Sequence, residues 1–413
     1  MEKIILINLV IAIIFCICYS YQFLYVIVSL MKKDKPHQET KAHRFAVLIA
    51  ARNEETVINH LIDSINTQTY DQGEVTVFVV ADNCTDQTAA CARKMGAIVY
   101  ERFDQTKIGK GHAMEFLLNQ MEKDYAPFDG YFVFDADNVL DQNYILEMNK
   151  TFSDGYDIIT SYRNSKNYGD NWISSGYAIW FLWESEFLNR GRMLLGTSCA
   201  VSGTGFFFSR RIIEKYGGWK FFLLTEDIQF TVDNVLSGEK IGYCRQAMLY
   251  DEQPVKFQQS FRQRMRWAKG FFQVFHRYGL DLFKGSLQRN TSCYDMLMVI
   301  MPAIILTLFT LIFNGSMILF GDYTTSQDDL IMMMMGRMIL NMYFMLVFIA
   351  TVTIATQWKN IHTTSFKKLA YIFTFPFFMF TYIPITIVAF FKKVEWQPIE
   401  HSRAKTLAEI KEG

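Results

Sequence analysis

Residues 45–55 read FAVLIAARNEE, seven apolar residues followed by an arginine, an asparagine and two acids. The same grammar recurs at residues 75–86, VTVFVVADNCTD, and at residues 131–139, YFVFDADNV. A short unbroken apolar run is what a strand buried on both faces requires. Between these runs, Val57, Ile58, Leu61, Ile62 and Ile65 keep helical spacing within 55–66. Further helices are predicted over 85–95, behind a Thr85/Asp86 cap, and over 112–123, with another short strand at 97–100. Buried strands alternating with helices predict an α/β domain, its mostly parallel sheet covered on both faces. Sheets of this kind hold ligands at the carboxyl ends of their strands, and Arg52, Asp82 and Asp135 all stand at such ends.

The rest of the chain is unevenly apolar. Lys+Arg and Asp+Glu both number 41, so the formal net charge is zero and no basic excess points to nucleic acid. Residues 4–30 carry no charge and are long enough to cross a bilayer core of roughly 30 Å. Residues 294–320, 330–356 and 369–391 are three more candidate spans. Glu2 beside Lys3, a long apolar run and no small-residue cleavage pattern favour a retained anchor over a cleaved signal. Lys32, Lys33 and Lys35 follow the first span, which puts the large polar region in the cytoplasm of a multi-pass cell-membrane protein. The seven cysteines are an odd number without C-x-x-C pairs, which argues against a disulfide framework or a zinc site and suits a reducing compartment. The expected layout is an anchor over 1–31, a catalytic domain over 32–256, interfacial amphipathic helices over 257–293, spans over 294–393 and a tail over 394–413. Trp172, Tyr177, Trp180, Phe181 and Trp183 crowd one segment, read either as a helix at the membrane interface or as a core helix.

Four polar clusters carry the chemistry. In Asp135-Ala136-Asp137, two carboxylates one residue apart at a strand end suit a hard divalent ion, Mg²⁺ or Mn²⁺, that also takes phosphate oxygens. The plain alternative is a capped strand end with solvated acids. FDADNV also resembles the nucleophile motif of haloacid-dehalogenase-type phosphatases, although that motif normally opens its domain. Asp82 is an acceptor for a base or ribose, or else a helix cap. Arg52-Asn53-Glu54 shares that ambiguity, and Lys110-Gly111 brings a cation and open backbone to a phosphate without forming a P-loop. In Thr225-Glu226-Asp227, Asp227 is a candidate general base for a single-displacement sugar transfer, or the cap of another helix. Gln263–Trp267 lies in a helix on which Phe261, Met265, Ala268, Phe272 and Phe275 share one face, with Gln263, Arg266 and Trp267 opposite. Trp267 offers a sugar a stacking surface and Arg266 offers a diphosphate paired donors. A basic interfacial helix, with Arg262, Arg264 and Lys269 on lipid head groups, is the competing reading.

Together these residues resemble the membrane-bound, processive branch of family-2 glycosyltransferases, which includes cellulose, hyaluronan and poly-N-acetylglucosamine synthases. The resemblance covers roughly residues 46–267 and the flanking spans. It implies a GT-A type α/β domain and a UDP-sugar donor bound by Ala51, Arg52, Glu54, Asp82, Lys110, Asp135 and Ala136. It further implies a metal on Asp135 and Asp137, diphosphate contacts from Gln263 and Arg266, and Asp227, beside Glu226, as the base. Gly203, Thr204, Gly205 and Trp267 match the acceptor side, with Arg210-Arg211 following the glycines. The expected activity is inverting, metal-dependent transfer to a growing, β-linked polysaccharide, or of one sugar to a lipid-linked or membrane-proximal acceptor.

Two departures stand out. One span before the catalytic region and about three after it make a thin polymer tunnel unless chains associate, so a homo-oligomer stays open. The tail motif Trp396-Gln397-Pro398-Ile399-Glu400-His401 resembles a segment that closes over the nucleotide from the cytoplasmic side. Lys392, Lys393, Arg403 and Lys405 agree with that side, and the acidic segment 321–329 suits an external loop. Counting three crossings puts the tail outside, although Pro376 and Pro384 mark the last apolar stretch as broken or re-entrant. A non-enzymatic transporter or receptor is the reading from another class. It is disfavoured because the spans hold few ionisable residues, Arg337 chief among them.

Overall fold

The apolar run at 45–51 becomes β1 (Phe45–Ala51), the centre of the parallel half of an eight-stranded sheet. The computed structural model describes residues 2–412 apart from 35, 38, 301, 321–324, 400 and 402. Lys35 of the basic cluster, Glu400 of the tail motif and part of the 321–329 segment therefore lie outside the described residues. The other strands are β2 (Val75–Asp82), β3 (Ile98–Arg102), β4 (Gly130–Asp135), β5 (Val139–Leu140), β6 (Ile158–Ser165), β7 (Phe206–Ser209) and β8 (Ile241–Asp251). Their order is β3-β2-β1-β4-β7-β6-β8-β5. The first four are parallel, β7 runs antiparallel to both β4 and β6, and β8 is parallel to β6.

This topology sets up the site. Ala51 pairs with Ala81 and Ala50 with Asp135, so the carboxyl ends of β1, β2 and β4 are level. Because β7 is reversed, its leading loop, Gly203–Gly205, reaches that edge rather than its trailing one. β6 and β8 end there too, where Ser165 pairs with Asp251. Apolar clusters fill both faces of the sheet: Phe45, Val47 and Ile49 on one side, Ala46 and Leu48 on the other. That alternation is the period-two geometry of a strand buried twice.

The predicted helices form at Ile58–Asn66, Thr88–Lys94 and Lys110–Asp124. Asp86 accepts from the Thr88 N–H at 3.1 Å at the start of the second. Trp172–Trp183 is packed between the sheet and the apolar helices Thr325–Thr356 and Ser365–Phe380, with Tyr177, Phe181 and Trp183 buried. It continues into a π-helical turn, Glu184–Asn189.

The apolar segments form helices too. Among the described residues, three are long and apolar enough to cross a membrane, Glu2–Met31, Asp329–Thr356 and Ser365–Phe391. The bent pair Thr291–Ile300 and Ile305–Leu319 makes up to four. The third is broken at Thr381, and both of its ends touch the sheet domain. Lys367 in its first turn donates to the Gly169 carbonyl at 2.8 Å, and past its end His401 meets Glu54. The stretch ahead of it is held as well, by a 2.8 Å bond from Asn164 to the Asn360 carbonyl.

Candidate active site

At the carboxyl edge of the sheet lies a cavity of about 740 Å³. Asp82, at the end of β2, is buried and accepts from Arg102 at 2.5 Å. Burial raises its pKa and Arg102 opposes the rise. It caps no helix. Arg52 follows β1 and lies 5.4 Å from the ring of Trp396 in the tail.

Asp135 and Asp137 flank buried Ala136 just past β4. The Asp135 carboxylate accepts from Lys110, whose ammonium also donates to the Gly203 carbonyl at 2.7 Å. Asp137 accepts from the Glu252 N–H at 3.0 Å. Glu54 and Asp251 add two more carboxylates to the same wall of the cavity. Burial, with Asp137 and Asp135 nearby, drives Glu54 up to about 7 despite His401. Burial drives Asp251 up to about 6, against Arg163 and with Asp137. Buried carboxyls crowded by further carboxylates form a site that favours a cation. Hard oxygen donors in that setting fit Mg²⁺ or Mn²⁺. Among the described residues no three or more His, Cys, Asp or Glu side chains form a ready ligand set. The donors therefore suit an ion that draws its remaining ligands from phosphate and water.

Glu226 and Asp227 open the helix Glu226–Leu236 on the opposite wall. Burial and then Asp227 push Glu226 up to about 7, while burial raises Asp227. A Cβ built on Gly203 would lie 3.6 Å from Asp227 Oδ2, so the Gly203 loop bridges the Asp135 wall and Asp227. The long helix Phe257–Leu287 backs this corner. Its Gly270 lets Thr225 come so close that a Cβ there would meet Thr225 Cγ2 at 2.4 Å. Arg266 donates to the Leu224 carbonyl at 3.3 Å. Gln263 lines the cavity with its Oε1 buried and unpaired. Trp267 stands edge-on to Tyr177 at 5.7 Å and to Phe181 at 6.2 Å.

Ala51, Arg52, Glu54, Asp82, Lys110, Asp135, Ala136, Asp137, Gly203, Glu226, Asp227, Gln263, Arg266 and Trp267 thus come to one cavity. Thr204 and Gly205 do not line it. They lie buried behind, Thr204 donating to Asn138 and Gly205 accepting from Ser161 at 2.6 Å and Tyr144 at 3.0 Å. A loop that must turn under the sheet hides its middle, which spacing alone does not reveal. Arg210 and Arg211 pair with Glu214, Asp157 and Glu239 away from the cavity. The lipid head-group reading fails for Arg264. It is fully buried, donating to the Phe378 carbonyl at 3.1 Å and to Thr381 at 2.6 Å, because the broken helix covers that face. Met265 and Ala268 pack on Ile385 and Ala389 of the same segment.

The sequence reading did not single out Arg163, Glu184 or Asp251, all of which line the cavity. A signal existed for Asp251, which closes a run ending in an acid much as Asp82 and Asp135 do. Arg163 donates to it at 2.9 Å and stacks over Phe181 at 3.7 Å.

A mixed sheet of this order with carboxylates along one edge defines a GT-A type domain. The solved structure of a mannosyltransferase from Pyrobaculum calidifontis, in complex with GDP-Man and Mn²⁺, shares the fold. The TM-score is 0.59 at 13% identity, over 92% of this chain and 98% of that one. Residues 43–270, more than half of the chain, match Glycosyltransferase like family 2, and the chain belongs to that family. It is 25% identical over 279 residues to the probable glycosyltransferase YdaM of Bacillus subtilis, covering 61% of this chain and 60% of YdaM. It is 26% identical over 273 residues to a beta-monoglucosyldiacylglycerol synthase of Nostoc, covering 63% and 56%. It is 22% identical over 273 residues to a poly-beta-1,6-N-acetyl-D-glucosamine synthase of Staphylococcus aureus, covering 65% and 63%. The chain thus spans a little over half the length of these relatives.

Proposed function

We propose that this chain is an inverting, metal-assisted glycosyltransferase that moves a sugar from a UDP-sugar to a hydroxyl acceptor at the membrane. The observation that carries the reading is the shared cavity of Asp137, Asp227 and Trp267, three positions far apart in sequence. Asp227 takes the proton of the acceptor hydroxyl as its oxygen attacks the anomeric carbon. The diphosphate departs from the opposite face, so configuration inverts. Lys110, Arg266 and Gln263 receive the diphosphate, while Asp82, Arg52 and Glu54 hold the nucleoside. Asp135 and Asp137 would hold Mg²⁺ or Mn²⁺, which when bound offsets the charge of the leaving diphosphate. Mixing the full chain with a panel of UDP-sugars and Mn²⁺ or Mg²⁺ tests this. UDP release is expected with at least one donor, and its absence with every donor and acceptor sinks the reading.

Two acceptors compete. The Gln263–Trp267 motif and the likeness to the poly-N-acetylglucosamine synthase support a growing, β-linked polysaccharide. The likeness to the glucosyldiacylglycerol synthase supports a single addition to a lipid. One specific observation favours the lipid: beyond Trp267 the cavity continues between apolar helices.

The catalytic domain, its interfacial helix and the tail make one cytoplasmic unit in this reading. Segment 365–391 has contacts to the sheet domain at both ends, so in this reading it lies along that domain at the membrane surface rather than crossing. The crossings then reduce to 2–31, 291–320 and 329–356, and the tail is cytoplasmic as its basic residues suggest. Labelling single cysteines placed at 362 and 405 from each side of sealed vesicles checks this, since opposite accessibility of the two refutes it.

A further inference from the structure

Beyond the carboxylates the cavity runs on without a partition between Phe15 and Phe23 of the first helix and Met345, Phe348 and Ile349 of Asp329–Thr356. Phe23 is 53% exposed and Phe348 54% exposed, so this chamber reaches the outer surface of two helices apolar enough to sit in lipid. A polymer path would set hydroxyl-matching polar groups along its length. These walls are mostly aromatic and aliphatic, with Ser20, Gln22 and Thr307 among them, which suits acyl chains.

Charge decides the head group. Among the described residues, five arginines and lysines line the cavity: Arg52, Lys110, Arg163, Arg192 and Arg266. Arg52, Lys110 and Arg266 stand beside the donor. The two that adjoin the aromatic walls are already matched. Arg163 bonds Asp251 at 2.9 Å, and Arg192 bonds Asp295 at 2.7 and 2.9 Å. Among the described residues, a lipid phosphate entering between the aromatic walls would meet no unpaired arginine or lysine there. It would meet Glu184 instead, which lines the cavity at the start of the π-helical turn and lies in the field of Asp227. Burial raises the pKa of Glu184, as befits a carboxyl that shares a proton with a neutral hydroxyl rather than repelling an anion.

We infer that the acceptor is an uncharged lipid with a free hydroxyl, its acyl chains in the Phe23–Ile349 chamber and its head group held by Glu184 next to Asp227. This rests on the transferase reading above and narrows its acceptor to one chemical class. The hydroxyl oxygen bonds to the anomeric carbon, its proton passes to Asp227, and UDP leaves with the electron pair of the broken bond.

The test uses the full chain in phospholipid nanodiscs with labelled UDP-sugars, Mn²⁺ and one of three probes: diacylglycerol, a polyprenyl phosphate or a soluble oligosaccharide. Label is expected in the diacylglycerol product, at least about tenfold over the other two. Label in the phosphate or oligosaccharide product with none in diacylglycerol overturns the inference while leaving the transferase reading intact. No UDP release with any probe removes both. Ile349→Trp shortens the chamber, so the preference among diacylglycerols should move to shorter chains. Glu184→Gln should raise KM for diacylglycerol while the Kd for UDP stays put. An unmoved chain-length preference in the first variant, or an unmoved KM in the second, contradicts the assignment of that residue.

Discussion

His401 Nδ1 lies 2.9 Å from Glu54 Oε1, tying the C-terminal tail to the loop that follows the first strand. With Trp396 beside Arg52, this contact makes the tail one wall of the cavity that holds Asp135 and Asp137. This end of the cavity is therefore closed by a segment remote in sequence from the strand-end residues Arg52, Asp82 and Asp135.

The contact has a pH sign. Burial by itself disfavours charge on His401, but Asp137 and Glu54 outweigh it and raise the imidazole from 6.5 to about 10. Burial raises Glu54 from 4.5 to about 7. Both shifts are upward, so the docked tail binds more protons than the free one. The His401 contribution is whole below pH 6.5 and lost as pH climbs through about 10, and that of Glu54 fades between 4.5 and about 7. Trp396 fluorescence or protease cleavage after Arg403 should report tail release as pH rises, and His401→Gln should remove the alkaline part of the curve.

Asp227→Asn keeps the shape of the site and removes the proton acceptor. Transfer should fall by roughly 10²–10⁴-fold, while calorimetry finds UDP binding little changed. A variant as active as the parent would move the base elsewhere.

Chelation should bring UDP release to background, with Mg²⁺ or Mn²⁺ restoring it. Asp137→Asn should demand at least about tenfold more metal for half-maximal rate, read from a metal titration at fixed donor. Equal requirements would take Asp137 out of the ligand set.

Gly205 has φ +65°, and a Cβ there would meet Leu249 Cδ2 at 1.9 Å. Overpacking and a disfavoured backbone act together, so Gly205→Ala should destabilise by about 1–3 kcal/mol or more. The check is a lower Tm in detergent together with weaker transfer, since Gly203 two residues away bridges Lys110 and Asp227.

Arg264 caps the break in Ser365–Phe391 and lies 4.4 Å from the ring of Phe378 and 4.9 Å from that of Tyr382. The Thr381 hydroxyl also donates to the Phe378 carbonyl at 2.6 Å, so Arg264→Ala should cost about 1–3 kcal/mol in all. Proteolysis near Thr381 should rise in step, and an unchanged Tm would deny the cap.

Much of this was legible in the chain. Continuous apolar runs at β1, β2 and β4 force double burial, and an acid at the end of such a run has to face the strand edge. Asp82, Asp135 and the parallel sheet followed from that alone. Strands β6 and β8 were not legible because SYRNS and YCRQ run several polar residues together where a buried strand would be apolar, yet β6 is wholly buried, among ion pairs such as Arg163–Asp251. The helical period at 257–275 separated the two faces correctly. It could not tell that both faces are covered, one by the cavity and one by the broken C-terminal helix. Nor could it tell that Arg264 is a buried cap.

By itself the sequence determined the α/β class, the apolar helices and most of the polar residues on the strand ends, because periodicity and local charge are properties of neighbours along the chain. Only the tertiary structure decided that the tail returns to Glu54, that Thr204 and Gly205 stand behind the cavity, and that Glu184 meets it at a π-helical turn. Those outcomes depend on a reversed strand and on a broken C-terminal helix whose two ends both lead to the sheet domain. Both are settled by packing between distant segments, where burial and ion pairing outweigh local preference.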